Sequence, residues 1–313
     1  MDSNSIPGSK FLYTFLVIPI LLTFIFYSFL HPKFSTASQP LNHLFLQSYK
    51  PSSNYSLKQT PILGISTSIS SIPSPIQITG NNQQTSSKQP AIGGFANPIT
   101  IAVLGDSMID TLKPNIPQLA TALKKHYPNQ FFNILNYGYG ASNIEHGLFC
   151  LNNDHQYLGK NIPSLISQNP DLIVVESFAY NNFGNSQQGI DRHWLGLGAI
   201  TNMIKKKSPN TRILLATTIA PNSIIFGNGI PDINWTSLEK IEKTNTIKLY
   251  LQNTINFATS QNFPLTNAYT PSLINGQGNL DFISKSDSLH PSTAGAQFFC
   301  DILARSIFDN KLI

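Results

Sequence analysis

Five short runs of aliphatic and β-branched residues, at 99–104, 131–135, 172–176, 213–217 and 264–267, are separated by stretches long enough to hold helices. This alternation constrains the fold more than any other feature. Strands joined by helical crossovers lie parallel in one sheet, with helices covering its faces. The intervening patterns predict helices near 115–126, 143–168, 190–207 and 236–260, and a last one over 292–307. Pro170-Asp171 and Pro209-Asn210 stand where two of these helices turn back into strands, as helix breakers should. The expected domain is therefore α/β, a three-layer α/β/α architecture on a five-stranded parallel sheet. No internal repeat is visible, which argues against a solenoid.

The first third of the chain has a different texture. Between Asp2 and Asp106 there is no acidic residue, while Lys10, Lys33, Lys50, Lys58 and Lys88 precede the first strand. The basic sequence pI of about 9.1 thus belongs to this leader. The remainder is close to neutral, which argues against a nucleic-acid-binding face on the globular part. Residues 11–30 carry no charge, and twenty residues at helical rise cover the ~30 Å hydrocarbon core of a bilayer. They are expected to form a single-pass N-terminal anchor after a tail of residues 1–10. The alternative is a cleaved secretory signal, but the apolar run is longer than such segments usually are. Lys10 and Lys33 flank the run and nearly cancel, so the positive-inside rule gives no orientation. Residues 31–96 are dominated by Ser, Thr, Pro, Gln and Asn, the composition of a disordered linker. A charge-poor spacer of this kind points to an extracytoplasmic domain, spanning 97–313.

In an open α/β sheet, functional groups gather beyond the carboxyl ends of the strands. Gly105-Asp106-Ser107 follows the first strand, Asn136-Tyr137-Gly138-Tyr139-Gly140-Ala141-Ser142-Asn143 the second, and Ser177-Phe178-Ala179-Tyr180-Asn181-Asn182 the third. Asp287-Ser288-Leu289-His290-Pro291 stands before the last helix. Each cluster alone has a plain explanation as a turn, a cap or a surface histidine. Together they hold the parts that acyl transfer needs. A serine hydroxyl becomes a nucleophile when a neutral imidazole accepts its proton, and that imidazole needs a carboxylate to hold its tautomer. Ser107, His290 and Asp287 fill those roles. Backbone N–H groups at Ser107 and Gly140, with the Asn181 side-chain amide, are the expected donors to the oxyanion.

These four blocks resemble the SGNH, or GDSL, hydrolase family. Its serine matches Ser107 in V-L-G-D-S, its glycine Gly140, its asparagine Asn181, its histidine His290 in D-S-L-H-P-S, and its aspartate Asp287. The resemblance covers roughly 99–307. It implies a flavodoxin-like sheet and hydrolysis of esters, thioesters or sugar O-acetyl groups without a metal or other cofactor. Two positions stay open, since Asn182 competes with Asn181 and Gly138 with Gly140. The expected substrate is a small-molecule, lipid or glycan ester. Two further readings are an O-acyltransferase acting on glycans and a catalytically silent glycan-binding module.

Other conspicuous residues read as structural. His126, His146, His155 and His193 lack metal-ligand spacing and read as surface or interface residues. Lys205-Lys206-Lys207 suits a helix C-terminus. Tyr139, Phe178, Tyr180 and Phe183 border the crevice, either gripping substrate or packing the core. Cys150 and Cys300 read as small buried hydrophobes, with one bridge between them as the alternative. The sequence assigns no role to the loop 218–235.

Overall fold

Residues 98–313 are described by the computed structural model of the protein. The expected anchor at 11–30 and linker at 31–96 lie outside the described residues. Among the described residues, no helix is long and apolar enough to cross a membrane. Strand β1 (Ile99–Gly105) leads into a single helical turn, α1 (Ser107–Asp110), then α2 (Pro117–His126) and β2 (Phe132–Gly138). Helix α3 (Ile144–Asn152), a hairpin of β3 (His155–Tyr157) and β4 (Lys160–Ile162), and β5 (Leu172–Glu176) follow. The chain continues through α4 (Gln187–Lys207), β6 (Arg212–Thr217), α5 (Ser237–Ser260) and β7 (Leu265–Asn267). A minimal hairpin, β8 (Leu273–Ile274) and β9 (Gln277–Gly278), precedes the final helix α6 (Thr293–Asp309).

The main sheet has five strands in the order β2-β1-β5-β6-β7, every neighbouring pair parallel. Its strands read as continuous apolar runs because both faces are covered. Ile101, Val103, Val174 and Leu214 pack on one face with Leu119 and Leu123 of α2 and Phe299 and Leu303 of α6. Ala102, Leu104, Ile173, Val175 and Leu215 pack on the other with Ile144 of α3 and Leu197, Ile200 and Ile204 of α4. Full burial of each such side chain is worth roughly 1.5–3 kcal/mol. The chain first steps from β1 to β2, then returns to β5 and runs outward through β6 and β7. The direction of winding therefore reverses between β1 and β5, and a crevice opens beyond their carboxyl ends.

Local signals account for most boundaries. Helix α5 opens with a capping box in which Thr236 and Glu239 satisfy each other's backbone N–H groups. Ser186 and Ser292 cap α4 and α6. The three lysines at 205–207 do end α4. The expected helix over 143–168 is a correction: α3 stops at Asn152, and β3, β4 and a 3₁₀ turn at Ile166–Gln168 fill the rest. The break occurs where Asn153 turns extended, and Leu158 and Gly159, both at positive φ, close a tight hairpin. Cys150 and Cys300 are free and buried in the cores on opposite faces of the sheet, which excludes the bridge.

Candidate active site

Ser107 is the first residue of α1, reached through a sharp turn after β1. Asp106 makes that turn as the helix N-cap, its Oδ1 accepting the Met108 N–H at 2.8 Å. Gly105 is required just before it. A Cβ there would lie 2.4 Å from Ile109 Cγ1 and 2.9 Å from Glu176 Cβ. Ser107 is half-buried and lines a cavity of about 360 Å³ with Gly140, Ala141, Tyr180, Asn181, Leu289 and His290. Residues from all four polar blocks of the sequence thus share one cavity.

The His290 side of the cavity is built locally. Asp287 Oδ1 accepts the N–H groups of Leu289 at 2.9 Å and His290 at 3.0 Å, folding the segment into a turn helped by Ser288 at φ 52. Asp287 Oδ2 lies 3.0 Å from His290 Nδ1. Burial pushes the Asp287 carboxyl up, but the hydrogen bonds from the His290 side chain and the two backbone N–H groups outweigh it and hold it below its ordinary value. An ionised carboxylate only accepts, so Nδ1 carries a proton, and in the neutral form of the ring the lone pair stands at Nε2. Nε2 is buried and has no hydrogen-bond partner among the described residues. The loop 218–235 braces this turn from outside, with Gly227 donating its N–H to the Ser288 carbonyl at 3.3 Å. Gly229 (φ 90) comes so near that a Cβ there would lie 2.3 Å from the Ser286 carbonyl oxygen.

The opposite wall is assembled from distant segments. Asn181 sits in a 3₁₀ turn after β5 and donates from Nδ2 to Asp106 Oδ2 at 3.2 Å, leaving its second amide hydrogen available. Asn182 is not among the residues lining the cavity; its Nδ2 donates to the Ala179 carbonyl and its Oδ1 accepts the Gly184 N–H. Gly138 is a packing residue, since a Cβ there would lie 2.2 Å from the Asp110 backbone nitrogen. For Gly140 the outcome differs from expectation. It lines the cavity, but its N–H donates to the Tyr157 hydroxyl at 2.8 Å, which in turn donates to Asp110 Oδ2 at 2.6 Å. Burial, and then the bond to Asp110, push the Tyr157 phenol up to about 12, so it stays a donor at neutral pH. The next residue, Ala141, also lines the cavity, and its N–H makes no hydrogen bond among the described residues. Its φ of 56 lies in the left-handed region that favours glycine. Ala141 carried no sequence signal, because alanine gives no warning of that conformation.

Beneath the cavity lies a buried polar floor. Asp106, Glu176 and Ser177 are inaccessible to solvent. Burial pushes the Asp106 carboxyl up to about 6, against the lowering effect of the Met108 N–H and the Asn181 amide. Burial, and then the Asp106 charge, raise Glu176 well above the usual carboxyl range. His193, expected at the surface or in an interface, is buried where α4 meets α5. Its Nε2 lies 2.7 Å from the Ser177 carbonyl oxygen, and Asn253 Nδ2 donates to its Nδ1 at 3.0 Å. Burial pushes this imidazole down to about 4, which fixes it as a neutral strut. Of the four crevice aromatics, Tyr180 lines the cavity with its hydroxyl tied to the Ile219 carbonyl, Tyr139 and Phe178 join the core, and Phe183 packs beside it. Among the described residues, no cluster of His, Cys, Asp or Glu is placed to hold a metal ion. A second cavity of about 300 Å³ lies around Gly227–Gly229 and Trp235, with Lys240 its one ionisable residue.

No family model matches the chain, and no curated protein matches it. Solved structures that are similar to it include a lipase/acylhydrolase from Enterococcus faecalis, with 17% identity over 68% of this chain and 96% of that one, at a TM-score of 0.47. A GDSL-like lipase from Bacteroides thetaiotaomicron has 14% identity over 69% of this chain and 92% of that one, at a TM-score of 0.48. An acetyl xylan esterase has 17% identity over 67% of this chain and 100% of that one, at a TM-score of 0.49. At such identities and scores the likeness assigns no residue role here.

Proposed function

We propose that the chain is a serine esterase of the SGNH, or GDSL, type, cleaving carboxylic esters through an acyl-serine intermediate. The observation that carries this reading is the shared cavity of Ser107 and His290, the latter held by Asp287 with an unpartnered Nε2. In the first step the Ser107 Oγ–H proton passes to His290 Nε2 as Oγ bonds the ester carbonyl carbon. Asp287 stabilises the imidazolium. The carbonyl oxygen becomes an oxyanion, for which the Ser107 N–H, the Ala141 N–H and the Asn181 amide are the available donors. Collapse breaks the bond to the alkoxide, which takes the proton from Nε2. Water, deprotonated by the same nitrogen, then attacks the acyl-serine, and the carboxylic acid and free Ser107 are released.

The cavity, at about 360 Å³, has room for a small acyl group, and Gly140 and Ala141 present no bulk on one side. Full-length protein is expected to release p-nitrophenol from p-nitrophenyl acetate and to be labelled by a fluorophosphonate at Ser107. Ser107→Ala is expected to lose both, with activity down by at least about 10³-fold. Equal turnover by the variant would overturn the reading. The leader adds a proposal of placement, in which residues 11–30 tether the domain to a membrane facing outward. Its check is membrane fractionation followed by protease accessibility from the non-cytoplasmic side.

A further inference from the structure

Glu176 has no part in the reaction just described, yet it sits where the two cavity-building turns meet. It ends β5, the strand paired with β1 at the reversal of the sheet. Its Oε2 accepts the Asp106 N–H at 3.4 Å and the Phe178 N–H at 2.9 Å. The first of these begins the turn that presents Ser107. The second begins the turn that presents Asn181. Oε1 is bonded to the Ser177 hydroxyl, and the Ser177 carbonyl is held by His193, itself held by Asn253. The fit on the β1 side is close, since a Cβ on Gly105 would lie 3.1 Å from Oε2. Phe178, an aromatic residue at φ 52, is in a backbone conformation that persists only when its surroundings impose it.

From this geometry we propose that Glu176 is a positioning residue for the oxyanion donors, its Oε2 bridging the two turns and so setting the Ser107 N–H relative to the Asn181 amide. The inference rests on the serine-esterase reading and deepens it. Oε2 acts as a carbonyl-like acceptor of two N–H groups, while Oε1 accepts the Ser177 hydroxyl hydrogen. A glutamine side chain keeps a carbonyl oxygen toward the two turns, while its amide donates to Ser177 Oγ once that hydroxyl rotates, reversing the direction of the wild-type bond. Aspartate, one methylene shorter, keeps the carboxyl but withdraws it from both turns. Misplacement of reacting groups by about 1 Å costs up to about 10²-fold in rate.

The test compares Glu176→Gln, Glu176→Asp and Glu176→Leu in the full-length protein on p-nitrophenyl acetate, alongside Ser107→Ala. Glu176→Gln is expected to stay within about threefold of wild-type kcat, while Glu176→Asp and Glu176→Leu fall about 10- to 100-fold in kcat with KM changed less than about threefold. Affinity for an alkylboronic acid, which imitates the tetrahedral intermediate, should fall with kcat. A merely structural role moves the melting temperature but leaves that parallel absent. Wild-type kcat in a folded Glu176→Asp variant overturns the proposal, and so does a folded Glu176→Gln variant as impaired as the aspartate. If Glu176→Leu does not fold, those two variants still decide. Activity surviving Ser107→Ala would sink the serine reading itself, whereas an inactive Ser107→Ala beside unimpaired Glu176 variants sinks this inference alone.

Discussion

The two walls of the cavity are made by different rules. On one side, Asp287 and His290 are three residues apart and meet through a single turn whose hydrogen bonds lie within 284–290, apart from the Gly227 N–H on the Ser288 carbonyl. On the other, Asn181 reaches Asp106 across 75 positions, Glu176 reaches Asp106 across 70, and Tyr157 reaches Gly140 across 17 and Asp110 across 47. A local device tolerates changes elsewhere in the fold, because its geometry depends on few dihedrals. A wall of long-range contacts depends on the register of β1 against β5 and on a hairpin inserted after α3. The base should therefore respond to substitutions within its own turn, and the donors to substitutions far away in sequence.

Four substitutions sharpen or break that comparison. The largest effect belongs to Asp287→Asn, because an amide that donates to Nδ1 holds the imidazole in the wrong tautomer. A kcat loss of about 10³- to 10⁴-fold is expected with little change in melting temperature, measured by steady-state kinetics and thermal unfolding. Next comes Asn181→Ala, which removes a side-chain donor and leaves Asp106 without its amide partner. It should lower kcat by about 10²-fold with KM nearly unchanged. Asn182→Ala, whose amide serves only its own turn, should cost less than about tenfold, and equal effects of the two would show the donor wall misassigned. The smallest effect belongs to Tyr157→Phe. It frees the Gly140 N–H and one Asp110 oxygen at the cavity rim, at a cost of about 1 kcal/mol in stability and a severalfold drop in kcat. An increase in kcat instead would assign the oxyanion to Gly140, with the phenol as its competitor.

Much of the architecture was legible in the chain. The five strands, their parallel pairing and the helices between most of them follow from short-range pattern, because side-chain periodicity is a property of neighbouring residues. The hairpin at 155–162 was not legible, since its turn uses Leu158 at positive φ, a residue with no preference for that conformation. For His193 the sequence left surface and interface open, and its partner there is the Asn253 amide, 60 residues away on α5.

By itself the sequence determined the kinds of side chain that stand at the strand ends, and the Asp287–His290 pair, because a turn of four residues carries its own geometry. Only the tertiary structure decided which backbone N–H groups beside the cavity are bonded elsewhere. It turned Gly140 toward Tyr157 and left the Ala141 N–H without a partner among the described residues, put Asn181 rather than Asn182 in the cavity lining, and placed Glu176 between two turns. Backbone donors have no residue identity, so their direction is set by how strands, hairpin and turns pack, and no list of residues contains it.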